Sequence, residues 1–87
     1  MAVRTGRDGL THLKTVAKFI VNEHCVLSVE MWRDKKAYNY YAVQIDESID
    51  GFQIEQDLIF TKTLEKANYV YMTLIRLYEY GRQSGAK

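Results

Sequence analysis

Proline is absent from this chain of 87 residues, and cysteine occurs once, at Cys25. A single thiol excludes an internal disulfide framework and favours a reducing compartment, so we expect a cytoplasmic protein. No apolar run approaches the length of about 18 residues that a membrane-spanning helix needs. We therefore expect no membrane partner. Because proline is absent, we expect the turns to depend on Gly, Asp, Asn and Ser.

An excess of charge of one sign is also missing. Twelve basic residues stand against eleven acidic ones, which gives a net charge of +1. A strongly electropositive nucleic-acid binder is therefore not the default expectation. The hydrophobic fraction of 47% is sufficient for one packed core, and the length leaves no room for a second. We expect a flexible arm over 1–8, one domain over 9–81 and a flexible tail over 82–87.

The first periodic segment predicts a helix over 9–23. Its apolar residues follow helical spacing, and Lys14 and Lys18 lie four residues apart on the opposite side. The apolar positions are Leu10, Leu13, Val16, Ala17, Ile20 and Val21.

The apolar period then changes to two, which predicts strands. Pairing residues whose numbers sum to 72 places Leu27, Val29 and Met31 beside Ile45, Val43 and Tyr41. This register makes one face of the hairpin continuously apolar, whereas a slip of one residue would mix both faces. The predicted hairpin tip is 35–37.

A third strand is predicted from FQIEQDLIF, with Phe52, Ile54, Leu58 and Phe60 facing inward. A helix follows, with Thr63 as its N-cap, Glu65 in its first turn and Gly81 at its end. Its predicted buried stripe is Leu64, Ala67, Val70, Tyr71, Leu74, Leu77 and Tyr78. The predicted fold is a two-layer α-β-β-β-α domain of the α+β class, a three-stranded antiparallel meander covered on one face by two helices.

The stretch DESIDGFQIEQD, residues 46–57, resembles a calcium loop at its ligand positions. From Gly51 onward, however, the same residues alternate as a strand. At about 3.3 Å per residue a strand carries Asp57 roughly 20 Å beyond Gly51, too far to return to an ion. We interpret 46–51 as a hairpin connection with an Asp-Gly turn and expect no metal site.

Catalytic signatures are not found in the sequence. His24 and Cys25 are adjacent, so their side chains diverge on a strand, and His12 stands alone. The two histidines and the cysteine match no zinc spacing, and there is no Gly-rich phosphate loop. We expect neither an enzyme nor a cofactor.

Aromatic and sulfur-containing side chains on the last helix give the strongest functional lead. Tyr69, Met72, Ile75 and Tyr80 lie outside the predicted buried stripe, and a helix that is apolar on more than one side usually has a second partner. A second predicted cluster, on the uncovered face of the sheet, contains Trp32, Tyr38 and Tyr40. The hypothesis is a protein-interaction domain, acting as a homodimer or as an accessory or inhibitor of a larger protein machine, of a kind that phages and mobile elements encode.

The alternative hypothesis is a module that binds duplex RNA or DNA. The element order α-β-β-β-α resembles that of the double-stranded-RNA-binding domain, and this resemblance implies contacts from the first helix, the first hairpin tip and the start of the second helix. The cations at those places are Lys14, Lys18, Arg33, Lys35, Lys36, Lys62 and Lys66.

Overall fold

The computed structural model describes residues 9–85, and side chains within 9–81. The predicted arm over 1–8 lies outside the described residues. Within residues 9–85, four strands form one antiparallel sheet in the order β1-β2-β3-β4, and one helix follows. The elements are β1 (Leu10–Asn22), β2 (Cys25–Asp34), β3 (Asn39–Ile49), β4 (Phe52–Thr61) and α1 (Leu64–Gly85). The α+β class is confirmed, but the layout of two helices and three strands is wrong, because the segment predicted as the first helix is β1.

Three irregularities in β1 explain why its sequence lacks the alternation of a regular strand. The pairing with β2 shifts between His12 and Lys14, between Thr15 and Ala17, and between Ile20 and Asn22. Each shift inserts one extra residue into β1, namely Leu13, Val16 and Val21. An extra residue reverses the faces of the side chains that follow it, so a period of two is converted into spacings of three and four. The bulges thus interrupt the plain alternation that would have indicated a strand, and the apolar residues with helical spacing are divided between the two faces of β1, with Ala17 inside and Ile20 outside.

The β2–β3 hairpin has the predicted register. Met31 pairs with Tyr41, Val29 with Val43, and Leu27 with Ile45. The amide of Asp34 donates to the carbonyl of Tyr38 at 3.0 Å, so the tip is 35–37 as predicted. Ala37 in this tip has a φ of 68°, in the left-handed region that alanine rarely adopts.

The connection between β3 and β4 is a two-residue turn at Asp50 and Gly51, both with positive φ. That geometry suits a tight hairpin, and the predicted Asp-Gly turn followed by a strand is confirmed. The predicted connection over 46–51 is too long, because residues 46–49 belong to β3 and pair with β4. A register shift follows the pair Val43–Ile59, which leaves Leu58 as an extra residue in β4. The prediction that Phe60 faces inward is wrong for this reason: beyond the bulge, Ile59 faces the helix and Phe60 faces away.

Helix α1 begins as predicted, because the Thr63 side chain accepts a hydrogen bond from the amide of Lys66 at 3.2 Å. The predicted end at Gly81 is wrong, since the helix continues to Gly85. Leu77 was assigned to the buried stripe but is 62% exposed, and Leu64 is also exposed. The residues of α1 that pack against the sheet are Ala67, Val70, Tyr71, Leu74, Ile75 and Tyr78.

The core lies between α1 and one face of the sheet, which we call the inner face. Leu27, Val29 and Val43 at its centre are fully buried or nearly so, and Phe19 and Ile59 pack around them from the edge strands. The helix starts next to the end of β4 and packs against β4, β3 and β2. The opposite, outer face carries the alternate residues of every strand.

Candidate interaction surface

A second stripe runs along α1 beside the buried one. Tyr69, Thr73, Leu77 and Tyr80 are spaced by four, four and three residues, which places them on one side of a helix. Tyr69 and Tyr80 are each 71% exposed and Leu77 is 62% exposed. We call these four residues the helix stripe. Sequence reasoning found its tyrosines and missed Leu77, which it had placed in the core.

The other two helix residues predicted for the interaction surface lie elsewhere. Ile75 packs against the core cluster, so it belongs to the buried side of α1. Met72 is 38% exposed and lies on the far flank of the helix from Leu77, because five residues turn an α-helix by about 500°. Neither residue extends the helix stripe.

Three apolar residues beside the β3–β4 turn are exposed, namely Ile49, Phe52 and Ile54. Ile49 pairs with Phe52, and Ile54 pairs with Glu47, so all belong to the inner face of the sheet. They are 49%, 73% and 44% exposed although they lie on the face that the helix covers. We call them the shelf. Sequence reasoning counted Phe52 and Ile54 as core, since alternation alone does not show how far a helix reaches.

The sheet aromatics predicted for a second interaction cluster do not form an exposed cluster. Trp32 and Tyr40 pair across β2 and β3 on the outer face, but Trp32 is buried, with the His12 ring 5.0 Å from it in an edge-on arrangement. Tyr40 is partly buried and stacks on Phe60 at 5.5 Å. Only Tyr38 is largely exposed, at 63%. Two of the three rings are therefore used within the domain.

A buried carboxylate lies at the centre of the outer face. Glu30 is 1% exposed, and its Oε1 lies 2.7 Å from His12 Nε2 and accepts a hydrogen bond from the Thr15 hydroxyl at 2.7 Å. Both partners belong to β1, so this carboxylate ties β1 to β2 across the outer face. Such hydrogen bonds compensate the cost of burying a charged group.

Acidic residues dominate the remainder of the outer face. Asp46 lies opposite Glu55, and Asp57 lies opposite Gln44. Gln44 donates to the Asp46 carboxylate at 3.0 Å, which supports one member of this group. Of the described strand residues on the outer face, one is a lysine, Lys18, which pairs with Ser28.

The candidate nucleic-acid cations are divided among several places. Lys14 pairs with Met31 on the inner side of β1, whereas Lys18 faces outward. Because residues 10–22 form a strand, the predicted contacts from a helix over 9–23 are wrong, and the likeness to the double-stranded-RNA-binding domain fails. The cations nearer the β2–β3 tip and the start of α1 are Arg33, Lys35, Lys36, Lys62 and Lys66. Of these, Lys36 and Lys62 line one hollow together with Tyr38 and Tyr40.

Asp34 organises that end of the sheet. Its carboxylate accepts hydrogen bonds from the amides of Lys36 and Tyr38 and from the hydroxyl of Tyr40, all at 2.9 Å. The backbone bond from Tyr38 is the main cause that lowers the pKa of Asp34, and the Tyr40 hydroxyl and Lys36 add to it. The hydrogen bond between the Tyr40 hydroxyl and the Asp34 carboxylate in turn raises the pKa of Tyr40. Asp34 thus holds the hairpin tip in shape.

The sulfur and metal chemistry of the described part of the chain is limited. Cys25 is buried, and burial together with Glu47 and Asp46 raises the pKa of its thiol, which disfavours the reactive thiolate. Within residues 9–85 no group of three or more His, Cys, Asp or Glu side chains is arranged to hold a metal ion. In the same range, no helix is both long and apolar enough to cross a bilayer.

Comparisons of this chain with protein-family models, with curated proteins and with solved structures found no match. The functional argument therefore depends on the geometry of its own surfaces.

Proposed function

We propose that this chain is a small non-catalytic protein-interaction domain, which acts as a homodimer or as an accessory or inhibitor of a larger protein machine. The observation that carries the proposal is the helix stripe. Tyr69, Leu77 and Tyr80 project from one side of α1 and are more than 60% exposed. A soluble domain rarely leaves two tyrosines and a leucine in one such row unless another surface covers them.

The energy available at this surface supports a protein partner. Burying a large apolar side chain contributes about 1.5–3 kcal/mol relative to leaving it in water. Tyrosine in particular combines a large apolar area with one polar group, and it is frequent among residues that dominate binding energy. The helix supports these side chains on a backbone that its other side anchors in the core through Ala67 and Tyr71. A rigid presentation of this kind lowers the entropy cost of binding.

Photo-crosslinking tests the proposal directly. A benzoylphenylalanine at position 80 should give a covalent adduct of one defined mass when the protein is irradiated in cells of its natural host. An adduct of twice the chain mass identifies a homodimer, and any other defined mass identifies a different protein. The same photo-reactive residue at position 38, an exposed tyrosine on the hairpin tip, serves as the matched control. Absence of any adduct specific to position 80 would contradict the proposal.

A nucleic-acid module is the second candidate, and one observation favours it. Lys36, in the β2–β3 tip, and Lys62, between β4 and α1, line one hollow with Tyr38 and Tyr40, and Asp34 lies in the same hollow. Cations beside aromatic rings are a combination that binds single strands by stacking and charge. Gel shifts with short RNA and DNA at two salt concentrations test this candidate, because phosphate binding releases counterions and weakens as salt rises. The charge reversals Lys36→Glu and Lys62→Glu should abolish a genuine shift, whereas Lys18→Glu on the outer face should not.

A further inference from the structure

We propose that the partner of the helix stripe is a second copy of this chain, related by a two-fold axis, so that the helix stripe of each copy lies on the shelf of the other. This inference rests on the proposed function and specifies its partner. The assembly would have three layers, with one sheet on each outside and the two helices side by side between them.

The path of α1 explains why the shelf is uncovered. The helix begins beside the end of β4 and packs against β4, β3 and β2. Near its other end, burial raises the pKa of the Tyr78 hydroxyl and the neighbouring Cys25 and Glu47 add to the effect, so Tyr78 lies close to both residues. Cys25 begins β2, so the helix crosses the sheet diagonally from β4 toward β2. The beginning of β4, with Phe52 and Ile54, lies on the side that the helix leaves.

The helix stripe lies on that same side of α1. The amide of Asp34 donates to the carbonyl of Tyr38 at the end of the β2–β3 hairpin, and hydrogen-bonded pairs recur at every second residue from there. These pairs belong to the outer face. The backbone groups of the β3 residues that face the helix therefore bond to β4 and not to β2. For L-residues this pattern fixes β4 on the right of β3 when the sheet is viewed from the helix with β3 running upward. A right-handed helix running upward with Ala67 beneath it then has Leu77 on its right flank. Helix stripe and shelf therefore border one continuous apolar surface.

The area of this surface matches what a stable dimer needs. Six exposed side chains contribute, three from the helix stripe (Tyr69, Leu77, Tyr80) and three from the shelf (Ile49, Phe52, Ile54). With about 200 Å² for a large side chain and the exposed fractions given above, they present on the order of 700 Å². Specific interfaces bury about 800 Å² on each partner. The neighbouring Thr73 and Arg76 would supply the remainder.

Charges around the two patches are opposite in sign. Arg76 is exposed and lies four residues before Tyr80, which places it beside the helix stripe, whereas Glu47 lies opposite Ile54 of the shelf. In a two-fold interface each contact occurs twice, so the helix stripe of each copy would meet the shelf of the other and the opposite charges would meet at both contacts. The net charge of +1 adds little repulsion between copies.

The shape of the monomer agrees with a missing second half. Its principal extents are 51 × 32 × 15 Å, a thin slab, and its radius of gyration of 14.1 Å exceeds the roughly 12 Å expected for a compact chain of this length. Two slabs joined through their helix layers would enclose the apolar surface on both sides.

Charge exchange across the interface provides the test. Arg76→Glu and Glu47→Arg each place like charges at both symmetry-related contacts, so each variant alone should dimerise at least about tenfold more weakly than the wild type. A mixture of the two variants should form heterodimers of near wild-type affinity, because opposite charges then meet at both contacts. Analytical ultracentrifugation of each variant and of the mixture measures this. The control is Lys35→Glu at the hairpin tip, which should leave association unchanged, and circular dichroism verifies that every variant is folded.

The outcomes separate this inference from the proposed function. A wild-type chain that stays monomeric up to its solubility limit would overturn the dimer, and so would a mixture that fails to recover association. In either case a crosslinked adduct at position 80 with another protein would leave the proposed function standing. Loss of that adduct as well would refute both.

Discussion

The assignment of residues 10–22 to a bulged strand can be tested at two adjacent positions. In the structure Phe19 packs against the core from the inner face of β1, whereas Ile20 pairs with Val26 on the outer face and is 63% exposed. A helix with the apolar spacing of this segment would reverse the two roles, with Ile20 inside and Phe19 outside. Phe19→Ala and Ile20→Ala therefore distinguish the two structures.

The expected magnitudes differ by a factor of about three. Replacing a fully buried Phe by Ala costs about 3–5 kcal/mol, so the partly buried Phe19 should cost about 2–3 kcal/mol. Ile20 loses little burial, and Ile20→Ala should cost about 0.5–1 kcal/mol. The free energy of unfolding of a domain of this length is about 4–13 kcal/mol, so the first change is a large part of the total. Both variants lose a side chain with high β-propensity, so that contribution largely cancels.

Thermal and urea unfolding at one fixed protein concentration measure both effects. At about 4–8 °C per kcal/mol, Phe19→Ala should lower Tm by about 10–20 °C and Ile20→Ala by only a few degrees. The urea midpoint should move in the same order, by about 2 M against less than 1 M. If Ile20→Ala proved the more destabilising of the two, the strand and its bulges would be wrong.

Two further predictions concern the β2–β3 tip. Ala37 has a φ of 68°, so Ala37→Gly should relieve about 1 kcal/mol of backbone strain and raise Tm by several degrees, whereas Lys35→Gly should not; a lower Tm for Ala37→Gly would refute the turn geometry. The hydrogen bond from the Tyr38 amide is the main cause that lowers the pKa of Asp34. The ionised carboxylate therefore makes its full contribution to stability above about pH 4, the pKa of an Asp in the unfolded chain. That contribution is lost as the pH falls through the lower pKa of the folded state. Asp34→Asn should therefore flatten the acid side of the stability curve measured by urea unfolding, with Asp50→Asn as the control, and an unchanged acid side would contradict the hydrogen bonds described at this residue.

Local sequence patterns correctly predicted the features that depend on interactions between residues close in sequence: the β2–β3 register, the β3–β4 turn and the start of α1. The register of Val29 with Val43 follows from alternation, because any slip of one residue would move apolar side chains to the other face. The Asp50–Gly51 turn and the Thr63 cap follow from local backbone chemistry. In each case the deciding interaction spans few residues.

The bulges could not be predicted in the same way. Extra residues at Leu13, Val16 and Val21 interrupt the alternation of β1, so the segment lacks the period of two that would have indicated a strand. The choice between helix and strand is made by β2, whose free edge pairs with β1 and whose Glu30 accepts bonds from that strand. Similarly, the bulge at Leu58 alone decides that Phe60 faces outward.

The candidate surface was predicted in part. The surplus of tyrosine on α1 is visible in the sequence, and Tyr69 and Tyr80 are exposed in the structure. The sequence did not show that Ile75 is packed against the core and Leu77 is exposed, the reverse of the prediction. Both residues lie at borders of the buried stripe, and the diagonal crossing of the helix determines which border meets the sheet. The uncovered shelf has the same cause.

The sequence by itself determined the α+β class, the pairing of β2 with β3, the two tight turns and a helix with more apolar surface than one side can bury. Tertiary structure alone decided that residues 10–22 form an edge strand, which aromatic rings are used internally, and where apolar surface stays exposed. The physical reason is that backbone propensity and alternation act between near neighbours, whereas bulges and helix crossing depend on contacts between distant segments.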